Sequence, residues 1–297
     1  MLHKIILDTD IGDDIDDAIA LALGVKCPEL DVKGVVTTYR NSVMRSKIAK
    51  AILEELGKET VPVVQGLDDP IKQPYYYFPY EKIEENGKPI IGHFEEYMEK
   101  YECSEKDGIE FMAETIRQNP YEISLVCIGP LTDIAALIKK YPDDYEKVKE
   151  VIIMGGRIGE KRPEWNIKCD PEAADIVLSS EKNIKLVPLD VTLKCVFDQE
   201  QVNRLYNDTY NTRLSKMIQT WLNNTKHKSL PILHDPLALS CVFADFCEFE
   251  EMKIRVGLTD SERGCTLTDD EKGKSVSVAT KVDNTGFANY VCDGLCR

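Results

Sequence analysis

The amino-acid sequence predicts an α/β fold with a mostly parallel central sheet, helices on both faces of the sheet and a small C-terminal β-hairpin lobe. Short runs rich in β-branched residues alternate with longer segments of helical periodicity, which is typical of βα units in a parallel sheet. Beyond about Glu248 the pattern changes to the apolar and polar alternation of antiparallel strands. Because 297 residues fit one α/β core, we expect residues 1–297 to form a single domain.

The predicted elements follow one another in this alternating order. Strands of the parallel sheet are predicted at residues 4–7, 32–38, 61–64, 123–128, 148–154 and 184–187. Helices are predicted at residues 15–25, 43–56, 109–118, 131–140, 171–178, 199–223 and 236–243. The terminal lobe has predicted strands at 253–258 and 276–282 and a last helix at 287–295. Residues 68–92, rich in proline and tyrosine, break the alternation; we name this long surface segment the excursion.

Composition restricts the class of partner. The chain has 52 Asp and Glu against 37 Lys and Arg, a net charge of -15. Nucleic acids and anionic membrane surfaces are bound through clustered Lys and Arg, so we expect neither as a partner. The N-terminal apolar run at 5–7 is too short for a signal peptide, and a cytoplasmic location is expected. The ten scattered cysteines form no CxxC pair and are expected to be reduced thiols.

A cluster of aspartates at the end of the first predicted strand is the densest signal in the chain. Six aspartates lie within ten residues, namely Asp8, Asp10, Asp13, Asp14, Asp16 and Asp17. Some of these can cap the following helix or complement its dipole. No Lys or Arg lies between Lys4 and Lys26, so the others would repel one another unless a cation compensates. Oxygen ligands favour Ca²⁺ or Mg²⁺, but not in an EF-hand, whose glycine position is here Asp13.

Two later segments also carry chemically active side chains. His234 and Asp235 are adjacent and precede Pro236, which we expect at the first position of a helix. Alone, such a pair is more often a helix start with a packed histidine than a functional site. The segment 163–174 follows the strand that ends at Met154 and puts polar side chains where an α/β site would lie.

Together these segments resemble the nucleoside hydrolase family, the inosine-uridine preferring type and its relatives. The resemblance covers most of the chain in order and rests on several motifs. They are DTDIGDDIDDA at 8–18, TTYRN at 37–41, IGPLTDIA at 128–135, MGG at 154–156, EWN and DPEAA within 164–174, and HDP at 234–236. The aspartate cluster, EWN with DPEAA, and HDP in this order are jointly specific.

The resemblance implies roles for matching residues. It implies a ribonucleoside substrate, Ca²⁺ as cofactor, an oligomeric assembly (a dimer or a tetramer) and a nucleoside hydrolase fold. The implied metal ligands are Asp10, Asp17, Asp235 and the main-chain carbonyl of Ile128. Asp10 would also be the general base for the attacking water, and His234 would protonate the departing base. The residues that match sugar-binding positions are Asp16, Asn41, Glu164 and Asn166.

The residue types suit this reaction. Breaking an N-glycosidic bond passes through an oxocarbenium-like sugar, whose charge carboxylates and amides can stabilise. The extra pair Asp13 and Asp14 lengthens the aspartate motif, so it stays open which of Asp13, Asp14, Asp16 and Asp17 contacts the metal. Asp16 and Asp17 are favoured because the following Ala18 keeps the register of the family motif. A glycine-rich HG stretch common in the family is absent, and the excursion stands in its place, so the preferred nucleobase is not implied.

Two other functions compete with this interpretation. Asp8-Thr9-Asp10 also fits a Mg²⁺-dependent phosphatase with Asp8 as nucleophile, although that function leaves His234 and EWN without a role. A calcium-dependent nucleoside or sugar binding protein without turnover is the non-catalytic alternative.

The residue that protonates the departing base could also lie among the tyrosines of 75–80 or be His227. Trp165 is the better of the two tryptophans to flank a ligand, since Trp221 fits a packed helix face.

Overall fold

A single nine-stranded sheet organises the part of the chain described by the computed structural model, residues 2–77, 81–207, 212–224 and 230–296. The strands are β1 (His3–Thr9), β2 (Leu30–Thr37), β3 (Val63–Gln65), β4 (Ile123–Cys127), β5 (Glu150–Met154), β6 (Ile184–Val187), β7 (Cys247–Val256), β8 (Thr266–Thr268) and β9 (Lys274–Val282). Their order across the sheet is β3-β2-β1-β4-β5-β6-β9-β7-β8. The first seven strands in this order are parallel, whereas β7 and β8 are antiparallel to their neighbours.

Helices connect these strands and cover both faces of the sheet. They are α1 (Asp16–Lys26), α2 (Ser42–Glu55), α3 (Gly108–Gln118), α4 (Thr132–Lys140), α5 (Pro142–Tyr145), α6 (Trp165–Cys169), α7 (Pro171–Leu178), α8 (Leu189–Thr192), α9 (Gln199–Asn207), α10 (Thr212–Asn224), α11 (His234–Ser240) and α12 (Asn284–Leu295). A 3₁₀ helix, Glu96–Lys100, follows the excursion. Within the described residues, no helix is long and apolar enough to cross a bilayer.

The strand residues divide into two hydrophobic cores because successive side chains of a strand point to opposite faces. In β1, Ile5 and Leu7 lie in one core, which α1, α2, α11 and α12 cover. Ile6 lies in the other core, which α3, α4 and α7 cover. The parallel strands are buried on both faces, and this explains their unbroken apolar runs.

The predicted fold class and each predicted strand of the parallel sheet are confirmed within one or two residues at most ends. The predicted C-terminal hairpin is present as β7 and β9, and β9 also pairs with β6, so the hairpin continues the central sheet. The helix predicted at 199–223 is confirmed over α9 and α10, and residues 208–211 lie outside the described part. All ten cysteines are free thiols, as expected.

One predicted helix start is wrong. Pro236 was expected at the first position, but α11 begins two residues earlier, at His234. Proline is tolerated there because the backbone nitrogens of the first turn have no partner within the helix. As a result, His234 and Asp235 both belong to the first turn of α11.

Candidate active site

The candidate site lies where parallel strands end at their carboxyl edge. Asp10 directly follows β1, and Ile128 directly follows β4, its neighbour in the sheet. The next strand, β5, ends at Met154 and leads into the loop that carries Glu164 and Asn166. Since these strands are parallel, their ends bring distant chain segments to one edge of the sheet.

Three carboxylates converge beside the end of β1. Asp16 and Asp17 open α1, and Asp235 lies in the first turn of α11, which packs against α1. Each offers an oxygen within 4.8 Å of the other two, and all three residues are buried. The Thr9 hydroxyl donates a hydrogen bond to Asp17, and the Asp235 amide donates one to Asp16 over 3.3 Å. The packing of two helices thus assembles an all-oxygen pocket from residues more than 200 positions apart.

The buried negative charge of this pocket favours binding of a cation. Burial raises the pKa of Asp16, Asp17 and Asp235 well above the usual aspartate value, and repulsion between neighbouring carboxylates adds to this shift. Buried carboxylates of like charge cannot all ionise without compensation. The donor set is oxygen only, which suits a hard divalent cation. The residues present therefore fit a metal site.

Asp10 lies next to this trio but outside it. Burial raises its pKa to about 6, while the charge of Arg45 opposes the shift. Its carboxylate packs against Gly129: a Cβ there would lie 2.8 Å from the Asp10 amide nitrogen and 3.1 Å from its carboxylate oxygen. Only glycine allows this approach, which puts Asp10 beside the peptide that begins at the Ile128 carbonyl.

Glu164 and Asn166 face the same edge. The Glu164 carboxylate caps α6 by accepting hydrogen bonds from the amides of Asn166 and Ile167, and it also accepts one from Gly156 over 3.0 Å. Burial raises the pKa of Glu164 to about 6 despite these donors. The Asn166 side-chain amide donates to the Ile128 carbonyl over 3.0 Å. Both side chains are thus held by backbone groups at the ends of β4 and β5.

His234 is partly buried at the start of α11, one residue before Asp235. Its Nδ1 lies 2.6 Å from the hydroxyl oxygen of Thr192 in α8. Burial lowers the pKa of His234 to about 4, so its ring is neutral at pH 7. The alternative histidine, His227, and residues 78–80 of the tyrosine segment lie outside the described residues.

Asn41 differs from the other sequence-predicted residues because its side-chain amide contacts α2 and the excursion. Its Oδ1 caps α2 at the Met44 amide, and its Nδ2 donates to the Pro89 carbonyl over 3.0 Å and to Glu84 over 3.2 Å. Asn41 therefore links α2 to the excursion. The structure brings Asp10, Asp16, Asp17 and Asp235 together with Glu164, Asn166 and the Ile128 carbonyl; it gives Asn41 contacts outside that group.

Two arginines near the site were not found by sequence reasoning. Arg45, fully buried in α2, donates hydrogen bonds to the main-chain carbonyls of Asp10 and Ile11 and to the Asp13 carboxylate. Arg40 also pairs with Asp13. Both arginines lie beyond β2, far from the aspartate cluster in sequence. The sequence signal for Arg45 was a charged residue on an otherwise apolar helix face, since Arg45 shares the buried face of α2 with Ile48 and Ala49.

The position of Asp8 argues against the phosphatase alternative. Asp8 is 1% exposed, and its pKa is raised well above the usual value by burial and by the charge of Asp133. A nucleophile for a phosphate must be ionised and accessible. Asp8 is inaccessible and its burial disfavours the ionised form, whereas Asp10 lies at the pocket.

The chain is similar to known proteins over nearly its whole length. The family model described as inosine-uridine preferring nucleoside hydrolase matches residues 5–289. Uridine nucleosidase 1 of Arabidopsis thaliana is 29% identical, over 97% of this chain and 92% of its own length. A plant nucleoside hydrolase structure superposes with a TM-score of 0.86 at 25% identity, covering 100% of this chain and 99% of that one. A purine-preferring ribonucleoside hydrolase from Gardnerella vaginalis gives 0.82, also at 25% identity, covering 99% and 98%.

Proposed function

Because this chain belongs to the inosine-uridine preferring nucleoside hydrolase family and is an N-glycosyl hydrolase, we propose that it hydrolyses ribonucleosides to ribose and free base with Asp10 as general base. The observation that carries this proposal is the convergence of the buried carboxylates of Asp16, Asp17 and Asp235 beside Asp10. The name of the Arabidopsis relative makes uridine the first substrate to test.

The proposed cofactor is Ca²⁺, held by Asp10, Asp17, Asp235 and the carbonyl of Ile128. The match to the family motifs supports this ligand set, and the buried carboxylates of Asp17 and Asp235, which converge with that of Asp16, supply the oxygen donors that Ca²⁺ prefers. When bound, such an ion lowers the pKa of water and orients sugar hydroxyls. Asp16 belongs to the same carboxylate trio and accepts a hydrogen bond from the Asp235 amide. We assign Asp16 to the sugar hydroxyls because it matches a sugar-binding position of the family.

Asp10 is suited to accept a proton from the attacking water. In the metal-free protein burial raises the pKa of Asp10 to about 6, and a bound cation would favour the ionised form further, so the carboxylate is able to accept a proton at neutral pH. Arg45 binds the Asp10 main-chain carbonyl and thereby fixes the residue without occupying its carboxylate. At pH 7 Asp10 is mostly ionised and ready to take the proton.

Glu164, Asn166 and Asp16 are proposed to hold the sugar as positive charge develops on it. The buried Glu164 carboxylate lies close enough to Asp10 for their charges to interact, on the β5 side of the pocket. Fixed carboxylates stabilise an oxocarbenium-like sugar more strongly in a buried pocket than in water. Asn41 is proposed to act at the rim of the sugar pocket, through its contacts with the excursion.

His234 is proposed to donate a proton to the departing base. The imidazolium form of His234 would donate its Nδ1 proton to the Thr192 hydroxyl and present an Nε2 proton that can pass to the nucleobase, leaving a neutral ring. Negative charge that develops on the departing base raises the pKa of His234 above its value in the empty site and so favours the imidazolium that makes this transfer.

Ribose release tests the proposal. Purified protein, stripped with chelator, is incubated with uridine, cytidine, inosine, adenosine and 2′-deoxyuridine, with and without added Ca²⁺. We expect release of ribose from at least one ribonucleoside, loss of release on chelation and recovery with Ca²⁺. Binding of a nucleoside without release would favour the non-catalytic binding protein. Full activity of the stripped protein would contradict the role of the carboxylate trio.

A further inference from the structure

The excursion connects the two chain segments that carry the candidate site. At one end, the Ile71 amide donates to Asp170 over 2.9 Å, and the Gln73 side chain donates to the Lys168 carbonyl, so this end lies against the 164–170 segment. At the other end, the amide of His93, which directly follows the excursion, donates to the Gly12 carbonyl over 2.9 Å; Gly12 lies in the loop 10–15 between β1 and α1, which we name the aspartate loop. The excursion therefore runs from one wall of the site to the other.

Aromatic side chains of the excursion lie close to residues of the site. The Tyr76 ring lies 6.3 Å from the ring of Trp165, which stands between Glu164 and Asn166. Lys168 places its ammonium 4.1 Å from the centre of the Tyr76 ring. Tyr76 also donates its amide to the Tyr39 hydroxyl over 3.2 Å. These contacts put the middle of the excursion next to the EWN motif.

The backbone beneath the excursion is unusual. Tyr39 and Arg40 both adopt left-handed conformations, with φ of 69° and 68°, and both are completely buried. A side chain in this region costs energy and persists where surrounding contacts determine it. The Tyr39 amide donates to the carbonyl of Leu67, just before the excursion, and the Arg40 amide donates to the carbonyl of Asp68, its first residue. This strained turn directs the Arg40 side chain between the excursion and the aspartate loop.

Arg40 contacts both sides at once. One guanidinium nitrogen lies 3.3 Å from the Asp13 carboxylate in the aspartate loop, and the other is paired with Glu81 of the excursion. Its guanidinium carbon lies 5.6 Å from the centre of the Tyr77 ring. The Arg40 side chain is fully buried, so solvent screens these ion pairs little.

Arg45 provides a contrast. It also pairs with Asp13, over 2.8 Å, but its other partners are the carbonyls of Tyr39, Asp10 and Ile11. Arg45 thus fixes the aspartate loop on α2, whereas Arg40 joins that loop to the excursion. The two arginines share one carboxylate and serve different segments.

We propose that Arg40 is a positioning residue that fastens the excursion to the aspartate loop through Asp13 and Glu81, and so holds Tyr76 and its neighbours beside the candidate site. The effect on hydrolysis rests on the proposed function, since it concerns binding of a nucleoside at that site. Arg40 acts through other side chains, and its loss weakens substrate binding more than it slows the chemical step.

The test compares full-length, Ca²⁺-loaded variants Arg40→Met, Glu81→Gln and the double variant. Arg117→Met is the matched control, because it breaks a pair with Asp144 in α5, away from the excursion. Chymotrypsin cleavage within residues 75–80 reports attachment of the excursion in the absence of substrate. KM and kcat for the best ribonucleoside report the consequence at the site, and calcium affinity reports damage to the carboxylates.

Each single variant is expected to speed cleavage by about tenfold and to raise KM by about tenfold, with kcat and calcium affinity within about threefold of the parent. The double variant should match the single variants, because both remove the same attachment. Arg117→Met should change none of these quantities beyond about twofold. If Arg40→Met does not fold, Glu81→Gln carries the test.

Cleavage and KM equal to the parent in the folded variants would overturn the proposal. Faster cleavage with unchanged KM would overturn the placement of the aromatic side chains beside the site. Absence of hydrolysis in the parent protein would refute the proposed function, and the cleavage rates would still decide whether Arg40 fastens the excursion.

Discussion

Buried carboxylates at the amino and carboxyl edges of the parallel strands have opposite pKa shifts. At the amino edge, Glu150 begins β5 and is 5% exposed, but Lys185 and Lys149 lie 3.2 and 3.3 Å away and Ser124 donates to it. Burial alone would raise the pKa of Glu150; these partners outweigh burial and lower it. At the carboxyl edge, the trio around Asp235 is equally buried, and its pKa values are raised.

This difference indicates that the carboxyl edge is where a bound ion or substrate balances the charge of the protein. A carboxylate that is neutralised by the chain's own lysines stabilises the fold and needs no ligand. Carboxylates that are packed together with raised pKa values are typical of functional sites, because the chain leaves their charge to be balanced by an ion or a substrate.

The largest expected effect is on turnover. Asp10→Asn should reduce kcat by about 10³-fold or more while the protein stays folded, because the variant loses the base and a proposed metal ligand. Glu150→Gln, at the other edge, should keep kcat within about threefold. Steady-state kinetics with circular dichroism as the fold control measure both. Comparable losses in the two variants would remove the functional distinction between the edges.

His234 is expected to show the next largest effect. His234→Ala should slow natural ribonucleosides by about 10²- to 10⁴-fold, the range expected for a general acid. A p-nitrophenyl riboside, whose phenolate leaves without a proton, should be affected far less. Equal losses on both substrates would indicate damaged geometry around Asp235, and no loss on either would mean that the acid lies elsewhere.

Stability should change in opposite directions at the two edges. In chelated protein, Asp17→Asn should raise the free energy of unfolding by about 1 kcal/mol, because it removes one of several buried, repelling carboxylates. Glu150→Gln should lower it by about 1–3 kcal/mol, since Lys185 and Lys149 lose their partner. Urea unfolding measures both values. Destabilisation of the chelated protein by Asp17→Asn would contradict the description of the pocket as strained by its own charge.

A smaller effect is expected from pH. Asp10 and the trio have raised pKa values, so the folded, metal-free protein binds protons more tightly than the unfolded chain does. Its free energy of unfolding should therefore fall as the pH rises from about 4, the pKa of an aspartate in the unfolded chain, through about 6, the pKa of Asp10 in the folded protein. Ca²⁺ should reduce this fall, because the ion takes the place of the protons. Melting temperatures at pH 5 and 7, with and without Ca²⁺, test the sign.

Much of this architecture could be predicted because its determinants are local. The alternation of β-branched runs and helical periods identifies the strands, and the sheet edge follows from their parallel order. The pairing of β6 with β9 could not be predicted, since apolar alternation in 274–282 shows a strand and says nothing about its second neighbour. Tertiary contacts also decided the environment of Asn41, whose amide binds Pro89.

The candidate site was predictable in composition and less so in arrangement. The motifs indicated Asp16, Asp17 and Asp235, but only the packing of α11 on α1 brings them within 4.8 Å. Arg45 escaped prediction because two of its partners are the main-chain carbonyls of Asp10 and Ile11, more than 30 residues earlier, and a backbone carbonyl cannot be recognised in a sequence. A charge on an apolar helix face was the available signal.

Calorimetric titration of Ca²⁺ into chelated protein, in two buffers of different ionisation enthalpy, measures whether the buried carboxylates at the carboxyl edge bind a cation. The parent protein is expected to bind one ion per chain and to release protons as it does so, because the ion lowers the raised pKa values. Asp235→Asn should weaken binding at least about tenfold, and Glu150→Gln should leave it unchanged. Absence of binding, or equal affinity in Asp235→Asn and the parent, would contradict the account.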